Sequence, residues 1–378
     1  MKQYRVPFFT RIHEVLRSEG ISLRVAYSDP PSTELSKCDH ADLPTEFGLK
    51  IKGHWVARNR LLYQPLLTEV SDSDLVVVEQ ANKHILNLIL RAKAAFRLRK
   101  PLVAFWGHGK NRQSSTSSFS ERVKRSSVSW VDWWFAYTKS VSRYLVATGF
   151  PAERITTVCN SVDTTDLQRQ LRHINWNEVL LMRKALAIPE HAPVGLFCGA
   201  LYPQRQLDLL LDSAARVRKS ISSFHLLIVG GGPEAEKAKA AERAHNWIHY
   251  LGPLFGGEKA LCFRMSDIFL MPGLVGLAIL DSFAGALPFF TTASSAHGPE
   301  IDYLDDGVNG FMVEPNARVY ADTVIRVLHD PALLQSLKDG AARSANAYTI
   351  ENMAENFRSG ICSCLQHGGS RSKAQSAS

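Results

Sequence analysis

Arg205 stands in Gly199-Ala-Leu-Tyr-Pro-Gln-Arg-Gln-Leu, where an apolar run ends in glycine, a short loop carries one cation and an amphipathic helix begins. Such a loop can set a guanidinium and free backbone N–H groups on a phosphate. A surface arginine near a helix start looks the same, so the neighbouring motifs decide. In Met271-Pro-Gly-Leu-Val-Gly-Leu-Ala-Ile-Leu-Asp, Gly276 and Leu277 open a helix at its positive end. Asp281, little more than one turn in, can meet a ribose diol. Leu277, Leu280 and Phe283 otherwise have core spacing. A buried strand over Leu287 to Thr292 follows, then Ala296-His-Gly-Pro-Glu300 and the tight turn Asp306-Gly-Val-Asn-Gly310. Each piece alone has a structural explanation; their order and spacing together do not.

Two other chemistries fit less well. Gly230, Gly232 and Ala235 match the dinucleotide fingerprint G-x-G-x-x-A, but that fingerprint wants an acid after the next strand. Here Ile248-His-Tyr-Leu runs into Gly252-Pro253. Asp72-Ser-Asp74 has the D-x-D form of metal-dependent sugar transferases, yet it precedes the run Leu75-Val-Val-Val instead of following a strand. No His, Cys or Asp cluster has ligand spacing, so neither a metal nor a cofactor is expected. The 6 cysteines are scattered without C-x-x-C spacing, which predicts reduced thiols of a cytoplasmic protein.

Short β-branched or aromatic runs alternate with helical stretches, which predicts an α/β fold with parallel sheets. Strands are expected at Ile21 to Tyr27, Leu75 to Glu79, Pro101 to Trp106, Trp133 to Thr138 and Ile155 to Val158. The alternation restarts with Pro193 to Gly199, Phe224 to Val229, Ile248 to Leu251, Ile268 to Met271, Leu287 to Thr292 and Gly310 to Val313. This predicts two doubly wound domains with a cleft between them: residues 1–165, a linker at 166–190 carrying one helix, and 191–347. A final helix spans 348–366, and the Gly/Ser/Lys tail 367–378 is expected to be disordered. The longest uncharged apolar run, Ile268 to Leu280, falls short of the roughly 20 residues a bilayer needs. Residues 1–150 hold 23 basic and 13 acidic residues, while 151–378 hold 21 and 23. The first half therefore suits an anionic partner.

With these motifs in place, the chain resembles the family 4 (group 1) retaining glycosyltransferases of GT-B architecture. In these, two Rossmann-like domains hold a nucleotide-sugar in a cleft and the last helix crosses back to the first domain. The resemblance runs from Tyr4-Arg-Val-Pro-Phe-Phe to Tyr348-Thr-Ile-Glu-Asn-Met. It includes Trp106-Gly-His-Gly, Asp132-Trp-Trp-Phe-Ala-Tyr-Thr and Asn160-Ser-Val-Asp, and is nearest to the subgroup that builds bacterial cell-surface polysaccharide. It implies transfer of a sugar from a nucleotide-diphosphate sugar to a glycan or lipid-linked acceptor, as in lipopolysaccharide synthesis. It places Arg205 on the donor diphosphate, Gly199, Gly276 and Leu277 beside the phosphates, and Asp281 on the ribose. Gly252, Pro253 and Leu254 fall in the base-binding loop, and His108 lies near the transferred sugar as a second catalytic candidate, with Asn160 a further sugar contact.

Three departures qualify the resemblance. The first acid of the family's E-x7-E motif is Gly273, so His297 or Glu300 must contact the donor sugar or the donor differs. A second family cation is Ala200. The chain also opens inside the first helix, which predicts either an upstream start or a poorly stable first domain. A degenerate, non-catalytic GT-B protein and a nucleotide-sugar epimerase are the alternatives. In the basic half, a helix from Lys83 to Lys100 is expected to bury Ile85, Leu88, Ile89, Ala92 and Phe96 and to expose Lys93, Arg97 and Lys100. Arg122, Lys124 and Arg125 lead into Trp130, Trp133 and Trp134. These read either as core with solvated charges or as a face for an anionic membrane, peripheral on its cytoplasmic side. No nucleic-acid motif appears.

Overall fold

The computed structural model describes residues 1–30, 40–57, 61–80, 84–95, 101–109, 130–294 and 297–376. The chain forms two compact units, Met1–Asp163 with Ile350–Ser378, and Thr164–Thr349.

In the first unit, β1 (Val25–Tyr27) pairs in parallel with β2 (Gly48–Lys50), and β3 (His54–Val56) with β4 (Leu61–Tyr63) makes a small hairpin. Strands β5 (Leu75–Glu79), β6 (Leu102–Gly107), β7 (Trp133–Ala136) and β8 (Ile155–Thr157) form a parallel sheet in that order. β2 to β4 are too short for a sequence period to show. The helix Val6–Ser18 buries Phe8, Ile12 and Leu16, one stripe at i, i+4 and i+8. That stripe packs on the final helix, Ile350–Ser376. From that helix, Phe357 stacks on Phe135 of β7 at 4.6 Å between ring centroids. Arg358 on the same helix bonds to Glu19 at 2.9 Å. The last helix is thus part of the first unit's core.

Several expectations change here. The end at 367–378, expected to be disordered, is helical as far as Ser376; extending a packed helix avoids the cost of a new nucleus. Trp133 and Trp134 are buried, and Trp130 lies edge-on to Phe105, so these rings are core and not a docking face. The helix Ile85–Ala95 buries Leu86 and Leu90 and exposes Leu88, a rotation from the expected stripe. Buried Asn87 explains it, because its side-chain amide donates to the Glu79 carbonyl at 3.0 Å and so must face the sheet. Phe96, Arg97, Lys100, Arg122, Lys124 and Arg125 lie outside the described residues, as does Cys38. Among the described residues no helix is long and apolar enough to cross a membrane.

The second unit holds β9 (Val194–Cys198), β10 (His225–Val229), β11 (Ile248–Gly252), β12 (Ile268–Leu270), β13 (Phe289–Thr292) and β14 (Gly310–Val313). They are all parallel in the order β11-β10-β9-β12-β13-β14. Counted from β9 this is 3-2-1-4-5-6, the Rossmann order, which reverses between β9 and β12. Continuous runs such as Leu226-Leu227-Ile228 are fully buried, as expected of strands covered on both faces. The stretch expected as a linker with one helix instead carries two, Thr165–His173 and Trp176–Ala185, inside this unit. Arg183 explains its attachment: it is buried and donates to the carbonyls of Pro189 at 2.9 Å, Ala192 at 3.0 Å and Met265 at 2.8 Å.

Near the start of β10 and β11 in this sheet, His225 Nδ1 and His249 Nε2 share a hydrogen bond at 2.9 Å, with both rings buried. Burial, and then the neighbouring His249, Arg218 and Arg183, hold His225 down at about 4. Burial also lowers His249. An unfolded histidine titrates near 6.5, so below that pH the unfolded chain binds protons that the folded chain refuses. Stability should therefore be complete above pH 6.5 and fall progressively toward pH 4. Urea midpoints measured across that range test this, and His225→Gln should flatten the slope; a wild-type midpoint constant from pH 6.5 to 4.5 would contradict it.

Candidate functional site

The second unit's candidate residues gather at the C-terminal ends of β9 to β12, where the strand order reverses and α/β sheets bind ligands. The loop after β9 is held on both sides by close backbone approach. On one side, Leu201 N–H donates to the Gly231 carbonyl at 2.8 Å and Glu234 N–H to the Leu201 carbonyl at 3.0 Å. A Cβ on Gly230 would lie 1.9 Å from the Gly199 carbonyl oxygen, so only glycine fits there. On the other side, Leu274 N–H donates to the Gln204 carbonyl at 2.8 Å. A Cβ on Gly273 would lie 2.2 Å from the same oxygen. The missing first acid of the family motif therefore has a steric cause: the β9 loop occupies the volume that its side chain would need.

Arg205 ends the 3-10 turn Pro203–Arg205, and Gln206 follows at φ 56° before the helix Leu207–Ser220. Its guanidinium donates to the Leu274 carbonyl and approaches Met271 Sδ at 3.1 Å. Burial alone pushes its pKa down, and among the described residues no carboxylate pairs with it. Arg205 is thus a partly desolvated cation held between two loops by neutral groups. Asp281 sits in the first turn of the short helix Ala278–Ala284, behind Gly276 and Leu277. A Cβ on Gly276 would meet nothing within 4 Å, so space is open at this point.

The structure adds a residue that the motifs did not flag. Lys259, from the helix Gly256–Arg264, bonds Asp281 Oδ2 at 2.7 Å. Burial pulls the ammonium down, but Asp281, with Cys198, outweighs it and the net shift is upward. In sequence Lys259 is an ordinary helix lysine; only the fold brings it to the acid. Cys198 ends β9 nearby, its thiol pushed up to about 12 by burial, so it is no nucleophile. Phe255 follows Gly252, Pro253 and Leu254 and is 79% exposed, a large ring left open on the loop expected to meet a base.

His297 and Glu300 are both buried. Nδ1 of His297 accepts from Val275 N–H at 3.0 Å, so Nε2 carries the proton it donates to the Thr292 carbonyl at 2.6 Å. Both nitrogens being spent on backbone, His297 is a strut for the loop after β12, not a free sugar contact. Gly298 N–H donates to the Val275 carbonyl at 2.8 Å, which brings Glu300 to the same loop.

His108 and Asn160 belong to the first unit, at the C-terminal ends of β6 and β8. His108 is exposed and its ring lies 4.3 Å from that of Tyr137. Asn160 is buried, with its Oδ1 accepting from Arg5 at 2.8 Å. Asp72 ends the helix Leu67–Ser71 and, with Asp74, enters β5, a loop position. Among the described residues no group of acids, histidines and cysteines could hold a metal. A cavity of about 600 Å³ lined by Gln168, Phe263, Phe283, Leu287 and Lys338 adjoins the N-terminal ends of β12 and β13, away from all these residues.

Residues 192–330 match the family model described as Glycosyl transferases group 1. A D-inositol 3-phosphate glycosyltransferase of Salinispora arenicola is 26% identical over 181 residues, 44% of this chain and 40% of that protein. The chain spans about two fifths of the length of the curated relatives it matches. Among solved structures, Anabaena Alr3699/HepE in complex with UDP covers 94% of this chain and 95% of its own, at 15% identity and TM-score 0.65. WaaG, a glycosyltransferase involved in lipopolysaccharide biosynthesis, covers 93% and 94% at 14% identity and TM-score 0.56. The family match thus falls within the second unit, and the likeness to the solved structures shows the GT-B fold of two Rossmann-like domains.

The backbone clamp on the β9 loop predicts the outcome of one substitution. Gly273→Ala should lower the unfolding free energy by about 1–3 kcal/mol, the usual range for overpacking. Chemical denaturation of the full chain measures it, and a variant as stable as the parent would show that the loops separate freely.

Proposed function

We propose that this protein transfers a sugar from a nucleotide-diphosphate sugar to a glycan or lipid-linked acceptor, with retention at the anomeric carbon. The observation that carries the reading is Arg205: a guanidinium without a carboxylate partner, set between two loops at the strand-order reversal of a group 1 domain. UDP bound to HepE supports a nucleotide donor. On this reading Arg205 meets the diphosphate, and Lys259 supplies positive charge that Ala200 does not. The amides of Gly276 and Leu277 face the phosphates across the opening beside Gly276, and Gly199 keeps the β9 loop close. Asp281, steadied by Lys259, takes the ribose, while Gly252, Pro253 and Leu254 border the base, with Phe255 as a stacking surface. Glu300 is the candidate for the donor sugar. In the first unit, His108 is the candidate for the reacting sugar and Asn160 a further sugar contact.

The chemistry then needs little from the protein beyond charge and position. With glycine at position 273, no carboxylate stands there to attack the sugar. The acceptor oxygen bonds to the anomeric carbon on the face the diphosphate leaves. The bond from that carbon to the phosphate oxygen breaks, the departing oxygen takes the acceptor's proton, and nucleoside diphosphate is released. Arg205, Lys259 and the helix-start amides stabilise the charge that grows on the leaving group. The net charge of the first half and the likeness to WaaG support an acceptor of the lipopolysaccharide kind, met at the cytoplasmic face of a membrane. Gly273 and Ala200 favour one second reading, a nucleotide-binding protein without turnover.

Calorimetry against UDP- and GDP-sugars, followed by donor hydrolysis and transfer assays, separates the two: binding without turnover would establish the second. Arg205→Ala should reduce turnover by roughly 100- to 1,000-fold, the loss of one donor aimed at developing charge. Near-normal turnover in that variant would overturn the assignment.

A further inference from the structure

Arg5 was singled out by no motif, yet two features of its placement are unfavourable for a cation and its bonds leave the charge uncompensated. It is only 8% exposed. It is the N-cap residue of the helix Val6–Ser18, whose first turn carries no acid, so its charge adds to the positive end of the helix dipole. Its bonds go to neutral groups: Nη1 donates to Asn160 Oδ1 at 2.8 Å and Nη2 to the Tyr137 hydroxyl at 3.1 Å. The guanidinium lies 4.5 Å from the Trp106 ring centroid, a cation–π contact that does not neutralise it. Among the described residues no carboxylate pairs with it. Burying a charge is costly unless an opposite charge compensates it.

Trp106 and Tyr137 are themselves buried, but they sit at the edge of the core where a ligand would approach the sheet. Trp106, Tyr137 and Asn160 lie at or just beyond the C-terminal ends of β6, β7 and β8, the side on which α/β sheets bind ligands. Exposed His108 rests against Tyr137 at 4.3 Å between ring centroids. These two bonds engage one donor on each terminal nitrogen, and a guanidinium has five donors in a fixed fork. We propose that Arg5, oriented by Asn160 and Tyr137 and flanked by His108, is an anion-binding site of the first unit that takes a phosphate group through its guanidinium fork. The phosphate belongs either to an acceptor or to a nucleotide donor. The assignment does not depend on sugar transfer.

Inorganic pyrophosphate is the probe, titrated calorimetrically into the full chain, its Arg5→Gln variant and its Arg205→Gln variant, each with and without saturating UDP. Arg5→Gln should weaken pyrophosphate binding at least about tenfold, the loss of a charged hydrogen-bonding pair, while binding survives in Arg205→Gln. Persistence under saturating UDP identifies an acceptor phosphate, and displacement by UDP identifies the donor's. Unchanged affinity in Arg5→Gln, or complete loss in Arg205→Gln alone, overturns the proposal. Pyrophosphate binding through Arg5 in a chain that does not bind UDP would sink the proposed donor and leave this site standing. Should Arg5→Gln fail to unfold cooperatively, Arg5→Lys decides: it keeps the charge and loses the fork, and wild-type affinity there also overturns the proposal.

Discussion

Everything at the candidate site of the second unit depends on how closely three stretches of main chain approach one another. The loop after β9 is bonded to the glycine-rich loop after β10 and to the loop after β12, at distances that admit no side chain at Gly230 or Gly273. Such contacts give the loop little freedom, and they decide where Arg205 can put its charge. They also account for the absent acid at position 273 as a packing consequence. An acid at that position and the present course of the β9 loop exclude each other.

The arginines proposed to meet an anion, Arg205 in the second unit and Arg5 in the first, both lack a carboxylate partner among the described residues, and the two are held in the same way. Arg205 is bonded to a carbonyl and a thioether, Arg5 to an amide oxygen and a phenol. Neutral acceptors orient a guanidinium without cancelling its charge, which leaves its field available to an anion. Contrast Arg358, on the surface of the last helix, which meets Glu355 and Glu19 and is thereby neutralised. Lys259 is intermediate, since its pairing with Asp281 steadies the acid and spends part of its own charge.

Much of the second unit was legible because parallel, doubly covered strands read as continuous apolar runs. β10, β12 and β14 fall within a residue or two of expectation, and the glycine-bounded loops between strand and helix carry the motifs. The first unit was less legible. Its short strands β2 to β4 have no period to detect, and the rotation of the Ile85–Ala95 helix was set by one buried amide, Asn87, that an apolar count ignores. The expected linker failed for a similar reason: Arg183 looks like a surface charge until three carbonyls, two from the stretch 189–192 and one from Met265, converge on it.

By itself the sequence determined the α/β class, the two-fold repetition of strand and helix, and the order of loops that bear Arg205, Gly276 and Asp281, because periodicity and glycine placement are local properties. Tertiary structure alone decided which charges are compensated. The pairing of Lys259 with Asp281, the double engagement of His297 and the isolation of Arg5 join residues distant along the chain, and a charge's energy depends on what surrounds it in space, which no local pattern records.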